Sequence, residues 1–318
     1  MKSFWLNLPR PFTVLAPMDG VTDVVFRQII AEIGRPDVFF TEFVNVEGLT
    51  SKGSERVAEA LKFGKNELPV VAHIWGKDPH AFYKASKMCK QMGLSGIDIN
   101  MGCPDRVIVN RGNCAALIKN PELAKEIIEA TRKGAGGLPI SVKTRLGFDQ
   151  IDLEWIKFLL NQNLSAITIH LRTVPEMSKV SAHWELMPQI LKLRDEISPG
   201  TLIIGNGDIL NYEEIDTKFK SYNCDGFMIG RGIFQNPWIF NQKIDVEKVT
   251  VEQRIDLFTK HINLFDKTWK DGKNPANLGK FCKTYISNFP DALSLREKIM
   301  ECKKTAEMLE ILNEYKNS

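Results

Sequence analysis

Apolar and polar positions along this chain follow two periods, one of strands and one of helices, in regular alternation. Residues 12–16 form an apolar run that Pro17-Met18-Asp19-Gly20 stops. Behind Thr22, a candidate cap, Val25, Ile29, Ile30 and Ile33 recur at helical spacing as far as Gly34. The same exchange repeats down the chain. Strands are predicted over 37–43 and 69–75, and a fourth in the stretch Ile97-Asp98-Ile99-Asn100-Met101-Gly102-Cys103-Pro104. Four more follow over 139–143, 166–170, 201–205 and 226–229. Between them lie a short helix near 55–61 and a helix from Asp78-Pro79 to Gly93. Others run from Asn120-Pro121 towards Gly134, and over 152–162, 184–197 and 211–220.

Several of these strands are apolar throughout, as strands covered on both faces are. Eight strand–helix alternations in this length predict a (β/α)8 TIM barrel. A doubly wound open sheet is the competing topology, but no G-x-G-x-x-G follows the first strand. After Pro237-Trp238 the pattern changes to helices alone, expected over 250–270, 277–287 and 291–313, with breaks at Gly272, Pro275 and Pro290. The expected organisation is a catalytic barrel over 1–242 and a small all-helical domain over 243–318.

Composition narrows this picture only a little. The 318 residues are 43% hydrophobic and 25% charged, ordinary for a soluble chain with one large core. A net charge of +3 permits a nucleic-acid partner without arguing for one. The six cysteines contain no C-x-x-C pair, so zinc and thioredoxin-type chemistry have no support and no metal is expected. No apolar run has signal-peptide or membrane-spanning character, and the expectation is a cytoplasmic monomer. Lys260, Lys267, Lys270, Lys273, Lys280 and Lys283 stud the helical part, interleaved with acids, which on their own read as solvated helix faces.

The candidate chemistry sits where strands end. On its own the stretch around Cys103 reads as a buried structural thiol. The list of polar residues at the other strand ends changes that reading. It includes Met18 after the first, His73 near the end of the third, and Asn100 and Cys103 after the fourth. Lys143 and Arg145 follow the fifth, His170 and Arg172 the sixth, Asn206-Gly207-Asp208 the seventh, and Gly230-Arg231-Gly232 the eighth. In a barrel all of these meet at one mouth. Gly205, Gly207, Gly230 and Gly232 would let backbone amides approach an anion between the last two loops, with Arg231 as a charged donor. A phosphate there, with Lys143 across the mouth, suits a phosphorylated flavin.

The chain resembles the tRNA-dihydrouridine synthases, flavin enzymes that reduce selected uridines in tRNA. The resemblance rests on Ala16-Pro17-Met18-Asp19-Gly20-Val21-Thr22-Asp23, on Asp98 to Pro104, and on Val142-Lys143-Thr144-Arg145-Leu146-Gly147. It continues through His170-Leu171-Arg172-Thr173, Asn206-Gly207-Asp208-Ile209 and Met228-Ile229-Gly230-Arg231-Gly232 to Asn236-Pro237-Trp238. The resemblance implies FMN held by Pro17, Met18, Asp19, His73, Lys143, His170, Asn206, Gly207, Asp208, Gly230 and Arg231. It implies Cys103 as proton donor, and Asn100, Arg145 and Arg172 on the substrate side. NADPH is implied as reductant, and tRNA as the partner of the trailing helices.

The chain departs from the family pattern in places. His73 stands where a flavin-contacting Gln is usual, Cys114 where a Gly is usual, and Leu171 replaces a Gly. Ser178, Val180 and His183 break a motif normally rich in Tyr, Gly and Asp. The expected reaction is hydride addition at C6 of uracil and protonation at C5 by Cys103, whose thiol at an ordinary pKa of about 8.5 would stay mostly protonated. Two alternatives stand beside it. One is an FMN barrel acting on a free pyrimidine metabolite of the dihydroorotate or dihydropyrimidine type, which would not need the helical tail. The other is a non-catalytic tRNA-binding barrel.

Overall fold

A computed structural model describes residues 3–317. Eight parallel strands close into a barrel in chain order. They are β1 (Phe12–Leu15), β2 (Val38–Asn45), β3 (Val70–Trp75), β4 (Gly96–Met101), β5 (Ile140–Arg145), β6 (Ala166–His170), β7 (Leu202–Asn206) and β8 (Gly226–Ile229). The pairing of β8 with β1 completes the ring, with Met228 opposite Val14. This is the (β/α)8 TIM barrel expected from the pattern, with helices around the strands and further helices towards the C-terminus. No helix among the described residues is long and apolar enough to cross a membrane.

Helix starts follow the local chemistry of the sequence. Asp78 accepts from the His80 amide ahead of the helix Pro79–Gln91, and Asn120 accepts from Leu123 ahead of Pro121–Ala135. Asp152 does the same for Leu153–Leu160. Gly134 lets the first two of these helices meet closely, since a Cβ there would lie 2.1 Å from the Tyr83 carbonyl oxygen.

The barrel interior changes character along its axis. Towards the strand starts it is apolar: Phe12, Val14, Val38, Phe40, Val71, Ala166, Leu202, Ile204 and Met228 form one cluster, and Trp5 of the short 3-10 turn Phe4–Asn7 packs into it. Each large side chain buried there contributes roughly 1.5–3 kcal/mol. Two residues further along the same faces, the inward positions turn polar. His73 follows Val71, Asp98 and Asn100 follow Gly96, Lys143 follows Ser141, Thr168 follows Ala166, and Asn206 follows Ile204.

The chain divides into two compact units, one of residues 1–24, 36–209 and 213–230, the other of 25–35, 210–212 and 231–318. The second holds the helices Val251–Trp269, Cys282–Tyr285, Ala292–Glu301 and Thr305–Asn317. Its core stacks Phe26 on Phe281 at 4.9 Å and Phe258 on Tyr285 at 5.0 Å, and the Tyr285 hydroxyl bonds His261 at 2.9 Å. Thr250 and Gln253 close a reciprocal cap at the start of the first helix.

The single helix expected over 291–313 is two. Cys302 takes an extended conformation, and the Glu307 carboxylate accepts from the Lys303 and Lys304 amides, so the chain stops and restarts within three residues.

Candidate active site

Cys103 is set in place by the residue that ends β4. The Asn100 side-chain oxygen accepts from the Gly102 and Cys103 amides, both at 3.0 Å, and so folds the chain back over the strand tip. The glycine eases a close approach: a Cβ on Gly102 would lie a tight 3.2 Å from the Thr144 carbonyl carbon. Arg145 braces the same turn. Its Nε donates to the Gly102 carbonyl at 2.8 Å and its Nη1 to Thr173 at 2.8 Å, tying the loop after β4 to the loop after β6. Arg145 is buried, and burial holds its pKa down to about 10.

Of the six free cysteines, Cys103 is the one with partial exposure. It is also the one whose acidity is raised. A hydrogen bond from the Cys114 thiol pulls Cys103 down to about 7 against the opposing effect of burial, with help from a backbone N–H at Asp105 and from the Lys143 charge. Burial pushes Cys89, Cys224 and Cys282 up to about 12. Cys114, buried with φ +53°, is raised by its contact with Cys103 and by burial. The Cys103 thiol is therefore more acidic than an ordinary cysteine and titrates about neutrality, instead of staying mostly protonated as expected from the sequence.

Below this loop lies a row of polar side chains. Asn100, Lys143 and Thr168 are direct partners across β4, β5 and β6. Lys143 makes no hydrogen bond among the described residues, and burial, with Arg145 adding repulsion, brings it down to about 8. Behind this row His73, Asp98 and Ser141 are partners across β3, β4 and β5. His73 Nδ1 lies 2.7 Å from one Asp98 oxygen, and Ser141 donates to the other at 2.6 Å. Three buried polar atoms of these two rows have no partner among the described residues: His73 Nε2, Asn100 Nδ2 and Thr168 Oγ1. Buried polar groups are normally satisfied, so three orphans on neighbouring strands mark a place for a polar ligand.

The other side of the mouth is held by an ion pair and hydrogen bonds. Arg172 Nη2 donates to Asp208 at 2.7 Å, its Nε to the Val180 carbonyl at 2.7 Å, and its Nη1 lies 3.2 Å from His170 Nε2. Arginine can only donate, so that histidine nitrogen accepts. Asp208, at φ +48°, also takes the Ala182 amide at 2.8 Å. Gly207 has φ +135° and its carbonyl accepts from the Trp184 indole at 2.9 Å. Asn206 donates to the Met228 carbonyl at 2.8 Å, locking β7 to β8.

Gly230 faces open space, with only the Ala16 Cβ near, at 3.7 Å from where its own would stand. Gly205 was expected to open the backbone to an anion. It serves packing instead, because a Cβ there would meet the Trp184 ring at 2.5 Å. At the end of β1 Pro17 is buried, Met18 part-buried and Asp19 exposed. The Met18 amide donates to Thr22 Oγ1 at 2.9 Å, and Gly20 to the buried Glu42 at 2.7 Å. Arg231 is exposed and belongs to the second unit, ahead of the short helix Gly232–Gln235.

Structure thus gathers His73, Asn100, Cys103, Lys143 and Arg145 on neighbouring strands, and His170, Arg172, Asn206, Gly207 and Asp208 on the next ones. Sequence reasoning assigned nothing to Asp98, Ser141 and Thr168. Their signal was present: polar residues at period two within otherwise apolar strands.

The chain matches the family model described as dihydrouridine synthase over residues 14–318. It is 45% identical to the probable tRNA-dihydrouridine synthase 2 of Bacillus subtilis (strain 168), over 99% of this chain and 97% of that protein. It is equally 45% identical to a probable tRNA-dihydrouridine synthase of Staphylococcus aureus (strain MRSA252), over 99% and 96%. Among solved structures it is similar to 2-naphthoyl-CoA reductase, with TM-score 0.56 and 11% identity over 73% of this chain and 49% of that one. It is also similar to an old yellow enzyme homologue from Zymomonas mobilis, with TM-score 0.50 and 14% identity over 76% and 91%. At these identities the two structures share the barrel fold.

Proposed function

Because the chain belongs to the dihydrouridine synthase family, we propose that it reduces particular uridines of tRNA to 5,6-dihydrouridine with FMN as cofactor and NADPH as reductant. The observation that carries this reading is the part-exposed Cys103 at the tip of β4, beside a row of buried polar atoms that have no partner among the described residues. Those atoms suit a polar ring system: His73 Nε2, Asn100 Nδ2, Thr168 Oγ1 and the unbonded Lys143 would hold its edge. The space over Gly230, with Gly207, would take its phosphate. When bound, FMN supplies the hydride that adds at C6 of the base.

The protein's own part is acid–base and electrostatic. Cys103 gives its proton to C5 of the enolate. Lys143 balances negative charge in a site where burial strengthens every Coulomb interaction. Arg145 positions the thiol through the Gly102 carbonyl, and Arg172 with Asp208 holds the loop that walls the mouth.

The base must leave its stack to enter such a mouth, at a cost of a few kcal/mol. Contacts to tRNA phosphates offset it. Lys270, Lys273, Lys303 and Lys304 line one cleft of about 660 Å³ in the helical unit and are the basic surface proposed for that contact. The reading includes a cytoplasmic monomer.

Cys103→Ala should keep bound FMN, seen in its visible spectrum, and lose at least about a hundredfold in turnover on unmodified tRNA. Wild-type turnover by that variant would overturn the assignment of the acid. Equal activity on free uridine nucleotides would move the reading to a metabolite enzyme.

A further inference from the structure

We propose that His73 meets the bound flavin as a hydrogen-bond acceptor, its tautomer set by Asp98 and Ser141, and that the group it accepts is N3–H of the isoalloxazine ring. This rests on the flavin reading above and deepens it.

The argument begins with the donors. Ser141 gives its hydroxyl proton to one oxygen of Asp98 at 2.6 Å, and the other oxygen lies 2.7 Å from His73 Nδ1. A carboxylate can only accept, so the proton of a neutral His73 is on Nδ1. Nε2 then carries a lone pair. The ring has no freedom to turn that lone pair elsewhere. Its backbone amide is bonded to Thr41, Phe43 packs edge-on at 5.0 Å between centroids, Phe40 lies at 6.0 Å, and the residue is fully buried. Burial and the Lys143 charge both oppose protonation of the ring, against Asp98 alone in favour. The result is an acceptor without a partner among the described residues.

Its neighbours have the opposite polarity. The Asn100 oxygen is committed to the Gly102 and Cys103 amides, which fixes the amide and leaves Nδ2 as a donor. Lys143 has donors only. These strands therefore offer donors at β4 and β5, an acceptor at β3 and, at β6, the Thr168 hydroxyl, which can do either. The pyrimidine edge of oxidised isoalloxazine is the complement: N1, O2, O4 and N5 accept, and N3–H alone donates. A glutamine at this position could turn either end of its amide to the ring. An imidazole with its proton held by Asp98 cannot.

Two measurements on FMN-loaded protein test this. In 15N spectra of histidine-labelled wild type, His73 Nε2 should show the shift of an unprotonated nitrogen. In Asp98→Asn, whose amide can donate to Nδ1, the proton should move to Nε2 and FMN affinity should fall roughly 10- to 100-fold. The second measurement needs no variant: wild-type protein stripped of FMN should bind 3-methyl-FMN at least about tenfold more weakly than FMN. Protonated Nε2 in the wild type, or equal affinity for the two flavins, overturns the inference and leaves the flavin reading intact. Failure to take up FMN at all overturns both.

Discussion

Two histidines of the barrel unit face carboxylates at hydrogen-bond distance, and their protons respond in opposite directions. His73 is fully buried against Asp98, and its pKa is lowered because the cost of burying an imidazolium exceeds what the carboxylate returns. His183 lies in the loop after β6 with a quarter of its side chain exposed, between Glu176 and Glu185 at 2.9 Å each. Its pKa is raised, first by the bond to Glu176 and then by that to Glu185. Both of its ring nitrogens face carboxylates, which favours the doubly protonated, cationic ring. Where water remains, the partner decides the charge. Where water is excluded, the cost of charging decides it, even beside an acid. The buried pair makes a fixed tautomer; the open triad makes a latch that can titrate.

The largest expected difference between the two is in stability. Asp98→Ala strands a ring nitrogen and the Ser141 hydroxyl in the barrel interior, and should cost about 2–4 kcal/mol. Glu176→Ala removes a partner from a wetter site and should cost about 1 kcal/mol or less. Denaturant unfolding with unchanged m-values measures both. Equal costs would mean that burial is not what separates the pairs.

The thiols repeat the contrast on a smaller scale. Burial dominates at Cys89 and pushes it up to about 12, whereas a partner dominates at Cys103 and brings it to about 7. Cys114→Ala removes that partner, so the midpoint for iodoacetamide alkylation of Cys103 should climb from about 7 towards the ordinary cysteine range. Alkylation at neutral pH should then slow roughly tenfold. A reaction that needs the Cys103 proton should fall in wild type as pH rises through about 7, and the variant should keep it to higher pH. An unmoved midpoint would assign the acidity to Lys143 instead, and Lys143→Met would then move it.

What the sequence disclosed follows the same division between local and non-local causes. The barrel was legible because each strand is an apolar run stopped by glycine, proline or a polar pair; β6 and β8 lie at the expected residues. Cys103 at a strand tip was legible from Gly102 and Pro104. The reason for Gly102 was not, since it depends on Thr144 in the next strand. Asp98 stood inside a recognised motif with no role, because its partners are 25 and 43 residues away on other strands. The restart at Thr305 was hidden for a different reason. Lys303-Lys304 contains no helix breaker, and the stop is made by a carboxylate that follows it.

The smallest expected effect concerns the latch, and its sign can be worked out from the shifts. His183 is raised above its ordinary 6.5, so its contribution is complete below that pH and is lost as pH rises through the raised value. Glu176 and Glu185 are lowered below 4.5, so theirs is present above that pH and is lost as pH falls through the lowered values. The latch is therefore strongest between about 4.5 and 6.5, and amide exchange across residues 173–185 should be slowest there. His183→Gln should flatten that profile. His73 works the other way. Below 6.5 the unfolded chain takes up a proton that the buried ring refuses, so its presence makes global stability rise with pH through this region. His73→Gln should remove that slope while leaving the loop profile unchanged. A single variant that altered both profiles together would show that the two histidines are one coupled system, and the contrast between buried and open pairs would no longer hold.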